Sequence, residues 1–233
     1  MLRVSNSRSG KVLLVASHPI QYYSAWYRGL SQACRLKVLY CHRQSAAGQA
    51  AAGFGVEFDW DVDLAGGFES EYLVNVAKRP STDYFRGCDT PEIGSVLDWE
   101  APAAVIVMGW YLKAYIQAIL AARRRGIPVL VRGDSQLGMS DSLFRRTIKR
   151  AVYPVFFRRV DAFLVVGSRF RQYLQFYGVS DDRMFFVPHC VDTQWFIDRL
   201  GRREIEEAAM RRWPDSKKGA LRVLFVGKLI EKK

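Results

Sequence analysis

Cysteine and histidine are scarce in this chain. Its 233 residues include four cysteines and three histidines. Cys34, Cys41, Cys88 and Cys190 form no CxxC pair and share no metal-ligand spacing with His18, His42 or His189. No metal site is therefore expected, and the thiols read as those of a reducing compartment. A secretory leader is missing as well. The opening MLRVSNSRSGK is polar and basic and runs into only a short apolar stretch, so a cytoplasmic protein is expected. Long apolar runs are nearly absent. The one candidate, residues 103–122 (AAVIVMGWYLKAYIQAILAA), has the length of a bilayer crossing. Within it Val105, Ile106 and Val107 form a β-branched run ending at Gly109, after which Leu112, Tyr115, Ile116, Ile119 and Leu120 recur at helical spacing. That is a buried strand followed by an amphipathic helix, whose other face carries Lys113 and Gln117. A glycine-rich dinucleotide fingerprint is lacking too. SHPIQ follows the first strand, and Gly53-Phe54-Gly55 has no strand before it, which disfavours a nicotinamide dehydrogenase.

What is present is a globular composition with a strong basic bias. Hydrophobic residues make up 49% and charged residues 25%, the balance of a folding domain rather than of a disordered one. The net charge of +12 implies anionic partners such as phosphorylated substrates or anionic lipid. Nucleic acid is not expected, because the basic residues are scattered over several helices without a recognised module.

Short apolar runs alternate with helix-period segments. Residues 11–16 (KVLLVA) read as a strand. After His18-Pro19, Tyr23, Trp26, Tyr27 and Leu30 share one helical face, and residues 36–40 (LKVLY) form the next strand. This is a βαβ opening, which joins parallel strands by a right-handed crossover. Residues 41–102 are irregular, with an edge strand expected over 57–64 and a short helix over 91–99. Regularity returns with a strand over 103–108, a helix to Arg125, and a strand over 129–132 introduced by Gly126-Ile-Pro128. A helix over 141–159 carrying Pro154 follows, then a strand over 162–166, a helix capped by Ser168, and a last strand over 184–187. The pattern predicts an α/β fold, a Rossmann-like doubly wound and mostly parallel sheet. Residues 1–190 are expected to form this domain and 191–220 a connector. Residues 221–233, with the apolar run RVLFV, are expected to be the first strand of a second domain that continues beyond Lys233, because a lone strand cannot bury both faces.

Three stretches resemble the bacterial family 4 glycosyltransferases of two-domain GT-B architecture. SHPIQYYSAWYRGL (residues 17–30) resembles the first strand-to-helix segment of the acceptor side. VPHCVDTQWF (187–196) is similar to the interdomain stretch usually met as VPxGVDxxxF, and LFVGKLIEKK (224–233) to the start of the nucleotide-sugar domain, usually GRLxxxKG. The resemblance implies the first half of a GT-B enzyme. It implies transfer of a sugar from a nucleotide-diphosphate donor to a glycan or lipid-linked acceptor, with retention of anomeric configuration, no bound metal and no cofactor beyond the co-substrate. On the family pattern Lys228 stands where an Arg is usual and Lys233 where the Lys is usual, and both would contact the donor phosphates. The carboxylate pair that the family places deep in its second domain lies beyond Lys233, so the chain alone is expected to be inactive. Many members place a His after the strand matching 103–108; here that turn is Gly109-Trp110-Tyr111.

Strand ends set the candidate site, because ligands of open α/β sheets sit beyond the carboxyl ends of the strands. His18 and Gln21 follow the first strand, Trp110 follows the strand over 103–108, and Arg132 with Asp134 end the next one. His18 and Asp134 are the catalytic candidates, the carboxylate as a group that orients an acceptor hydroxyl; each also suits a turn or cap. Gly167 and Ser168 hold the same strand-end position. His189 and Asp192 fall in the expected hinge, where Asp192 suits a turn. Arg145, Arg146, Lys149 and Arg150 form a basic stripe on a helix whose other side carries Phe144, Ile148, Val152 and Val155. Such a helix suits either peripheral contact with an anionic inner membrane face or an ordinary solvated surface. The competing function is a non-catalytic Rossmann-like binding module for an acceptor or protein partner.

Overall fold

The computed structural model describes residues 10–45, 60, 62–138, 143–199, 207–208 and 210–212, with 143–145 traced by backbone alone. The chain divides into two compact units. The first, within 1–44 and 60–190, contains the whole sheet.

Seven strands form that sheet: β1 (Val12–Ala16), β2 (Leu36–Tyr40), β3 (Glu69–Tyr72), β4 (Ala104–Val107), β5 (Val129–Gly133), β6 (Ala162–Val165) and β7 (Met184–Phe186). Their order is β3-β2-β1-β4-β5-β6-β7, and every pairing is parallel. The helices of this unit are α1 (Gln21–Ala33), α2 (Ile93–Glu100), α3 (Lys113–Arg124), α4 (Leu143–Phe157) and α5 (Ser168–Phe176). The doubly wound expectation therefore holds, with the sheet parallel throughout. Continuous apolar runs explain it: Leu13, Leu14 and Val15 are fully buried, as central strands covered on both faces must be. Each such side chain contributes about 1.5–3 kcal/mol by leaving water. Tyr27 of α1 and Tyr115 of α3 close over the sheet, both buried.

Two expectations are corrected. The edge strand expected over 57–64 lies partly outside the described residues, and its described positions, 60 and 62–64, hold no strand. The edge is instead ESEY, β3, four residues with exposed and half-buried positions alternating. An ion-pair network at the amino end of the sheet holds it there: Lys37 contacts Glu71 at 2.7 Å, and Glu100 at 2.6 Å, while Lys11 reaches the other oxygen of Glu100 at 2.6 Å. Hydrogen bonds from Lys11 and Lys37 lower the pKa of Glu100. The second correction concerns Ser168, which is the first residue of α5 and not its cap. Gly167 takes the N-cap position with extended backbone and has no side chain to offer, so no side-chain cap bond forms.

The second unit is described only in part. Its helix α6 (Thr193–Arg199) starts after Asp192, whose Oδ1 accepts from the Trp195 amide at 2.9 Å. That bond is an N-cap, the turn-fixing use expected for Asp192.

Candidate functional site

The chain leaves β1 through α1 to reach β2 on one side and returns to β4 on the other. At such a reversal the connecting loops diverge and leave a crevice at the carboxyl ends of the two strands. A cleft of about 240 Å³ lies there. Three strand-to-helix turns build it: Ser17 and His18 after β1, Gly109 to Tyr111 after β4, and Arg132 to Ser135 at the end of β5, with Tyr22 and Tyr23 of α1 alongside. Gly109 takes φ 116°, a conformation that costs a side-chain-bearing residue dearly, and so turns the chain from β4 into the cleft. A Cβ on Gly133 would sit 3.0 Å from the Phe170 ring and 3.5 Å from that of Trp110. Trp110 is thus held by close packing: it stacks on Phe170 at 6.1 Å and meets Phe157 edge-on at 5.2 Å.

The cleft's titratable groups are mostly neutral. Burial lowers the pKa of His18 from 6.5 to about 4, assisted by His42 and opposed by Asp83. Its Nδ1 lies 3.0 Å from Ser17 Oγ; where Ser17 donates, Nε2 carries the proton and is a donor. Burial also raises Tyr23 to about 12, with Tyr22 adding to the shift, so both phenols are hydroxyl donors at neutral pH. Asp134 is an exposed carboxylate on the cleft rim. Arg132 is 2% exposed. Its guanidinium carbon lies 5.3 Å from the Tyr23 ring centre and 4.9 Å from that of Trp26, and one terminal nitrogen donates to the carbonyls of Val187 and Pro188, both at 3.3 Å.

Four of the residues expected at the site, His18, Trp110, Arg132 and Asp134, line this cleft together. Gln21 opens α1 beside it without lining it, and Gly167 and Ser168 sit at the end of β6, also outside the lining. His189 stacks on Tyr23 at 6.0 Å and meets Tyr22 edge-on at 5.6 Å, which fixes the segment after β7 against α1. Its pKa is lowered by burial and then by Arg132. Lys228 and Lys233 lie outside the described residues, as does the side chain of Arg145. Tyr22, Tyr111 and Ser17 were not singled out by the sequence reading. Their signal is adjacency to the same turns.

The basic stripe of α4 runs into the stripe that packs inward. Arg146 and Arg150 lie over the Phe176 ring at 5.1 and 5.4 Å, Lys149 lies 5.9 Å from the Tyr153 ring, and Phe157 below them is 1% exposed. Ile148, Val152 and Val155 consequently face outward, each about half exposed. Among the described residues no helix is long and apolar enough to cross a membrane, and no His, Cys, Asp and Glu cluster could hold a metal ion.

Parallel order, reversal point and cleft define a Rossmann-like α/β domain with a cleft at its switch point. Residues 38–190 match the profile of the glycosyl transferase 4-like domain, and the chain belongs to that family. No curated protein matches the chain. Among solved structures, UDP-N-acetylglucosamine 2-epimerase from Rickettsia bellii superposes with a TM-score of 0.52 at 15% identity, over 88% of this chain and 51% of that one. The epimerase from Methanocaldococcus jannaschii gives 0.46 at 15% identity, over 77% and 45%. That from Neisseria meningitidis, bound to UDP-GlcNAc, gives 0.47 at 15% identity, over 90% and 55%. At this identity the Rickettsia bellii likeness speaks to the fold, and the chain spans about half the length of these proteins.

Proposed function

We propose that this chain is the acceptor side of a retaining glycosyltransferase that moves a sugar from a nucleotide-diphosphate donor to a glycan or lipid-linked acceptor. The observation that carries the reading is the switch-point cleft, which gathers a carboxylate, a neutral imidazole and aromatic walls in a member of the glycosyl transferase 4-like family. In the reaction the bond between the anomeric carbon and the diphosphate oxygen breaks, a bond to the acceptor hydroxyl oxygen forms, and the hydroxyl proton passes to the departing diphosphate. Asp134 orients that hydroxyl, and His18, too weak a base at about 4 to hold its proton at neutral pH, positions the acceptor by hydrogen bonding. Aromatic walls such as Trp110 and Tyr111 suit the apolar faces of sugar rings. Lys228 and Lys233 contact the donor phosphates in this reading.

The acceptor side also meets an anionic membrane surface in this reading. Its support is the outward row Ile148, Val152 and Val155 on α4, beside Arg146 and Arg150 in a chain of net charge +12.

Joining the chain in frame to the donor half of a family relative, and following acceptor mass with a panel of nucleotide sugars led by UDP-N-acetylglucosamine, tests the proposal. Acceptors are expected to gain one hexose or N-acetylhexosamine mass. Acceptor binding without transfer from any donor would favour the binding-module reading instead.

A further inference from the structure

Buried cations in proteins are paired, because an isolated charge out of water costs several kcal/mol. Arg132 departs from that rule. It is 2% exposed and forms no ion pair with any described residue; Asp134, two residues on, shares its cleft without pairing to it. Two carbonyls and two aromatic rings hold the guanidinium in place, but its Nε is buried with no hydrogen-bond partner. The arrangement fixes the fork and leaves one of its donors unused. Among the described residues Arg132 is the one cation that lines the cleft, and the remaining charged lining group, Asp134, is exposed at the rim.

We propose that the cleft takes an acceptor bearing an anionic group, a phosphate or a carboxylate, which Arg132 receives while Asp134 and His18 engage the hydroxyls of the same molecule. This deepens the acceptor-side reading and rests on it. The pattern is selective in both directions. A neutral sugar leaves Arg132 unpaired, whereas a small free anion forgoes the hydroxyl contacts and the aromatic walls. The planar guanidinium also distinguishes Arg from Lys here, since an ammonium offers neither the fork nor the stack on Tyr23 and Trp26.

Saturation-transfer NMR on the 233-residue chain with glucose, glucose 1-phosphate, glucuronate, inorganic phosphate and UDP tests this. Glucose 1-phosphate or glucuronate is expected to bind at least about tenfold tighter than glucose, as one charge-assisted hydrogen bond supplies. Whichever of the two is stronger identifies phosphate or carboxylate as the group. Inorganic phosphate is expected to bind more weakly than the sugar anion, and UDP not to displace it, which separates an acceptor anion from the donor's diphosphate. Arg132→Gln and Arg132→Lys should both bring the sugar anion to the level of glucose, with melting temperatures checked for each. Should a variant fail to fold, the wild-type ranking decides alone. Equal binding of glucose and its charged counterparts, or displacement by UDP, would overturn the assignment. Successful sugar transfer to neutral acceptors only would sink this inference while leaving the glycosyltransferase reading intact. Anion binding without transfer from any donor would do the reverse.

Discussion

His18 shows how a residue's chemistry changes once its surroundings are known. The sequence places it in a strand-to-helix turn, and the structure half-buries it beside Ser17, with His42 close by. Because its folded pKa is about 4 against 6.5 for a free imidazole, the unfolded chain binds the proton more readily between those values. Stability from this site is therefore complete above pH 6.5 and is lost as pH falls toward 4. Titration by NMR should find the His18 ring neutral down to about pH 4, and His18→Gln should flatten the fall in melting temperature over that window. A midpoint near 6.5 would contradict the buried geometry. His18, Trp110, Arg132 and Asp134 were legible because strand ends are marked by apolar runs that stop abruptly. The wall residues Tyr22 and Tyr23 were not, since a helical period of aromatics looks the same whether it faces a core or a cleft.

Among the elements, apolar run length made the central strands readable, and β3 was missed for the same reason. The alternation in VEFDWDVDL imitates a half-buried strand, whereas ESEY owes its place to pairing with β2 and to ion pairs with Lys37 and Lys11. Polar edge strands carry little hydrophobic pattern, so sequence period cannot find them. On α4 the periodicity was right and the direction was open: the stripe bearing Arg146, Lys149 and Arg150 continues into Tyr153 and Phe157, turning Ile148, Val152 and Val155 outward. Co-sedimentation should therefore bring the protein down with vesicles containing phosphatidylglycerol and leave it in solution with phosphatidylcholine alone. Ile148→Ser combined with Val152→Ser should abolish that binding at unchanged melting temperature, because neither side chain supports the core. Equal binding to neutral vesicles would count against a role for the helix.

For the molecule as a whole, the parallel order β3-β2-β1-β4-β5-β6-β7 puts a reversal, and so a crevice, between β1 and β4, and residues 38–190 match the glycosyl transferase 4-like domain. The fold followed from the alternation of strands and helices, but the assembly of the cleft did not, because it draws on the separate turns 17–18, 109–111 and 132–135, whose meeting depends on strand order. The central claim is that this cleft handles the acceptor and not the donor. Steady-state kinetics of Asp134→Asn, measured in the chain joined to a donor half, test it most directly. The account predicts an acceptor kcat/KM lowered at least about tenfold, as loss of a charged hydrogen bond implies, with donor KM unchanged. A variant whose donor KM rises while its acceptor KM and kcat stay at the wild-type values would contradict it.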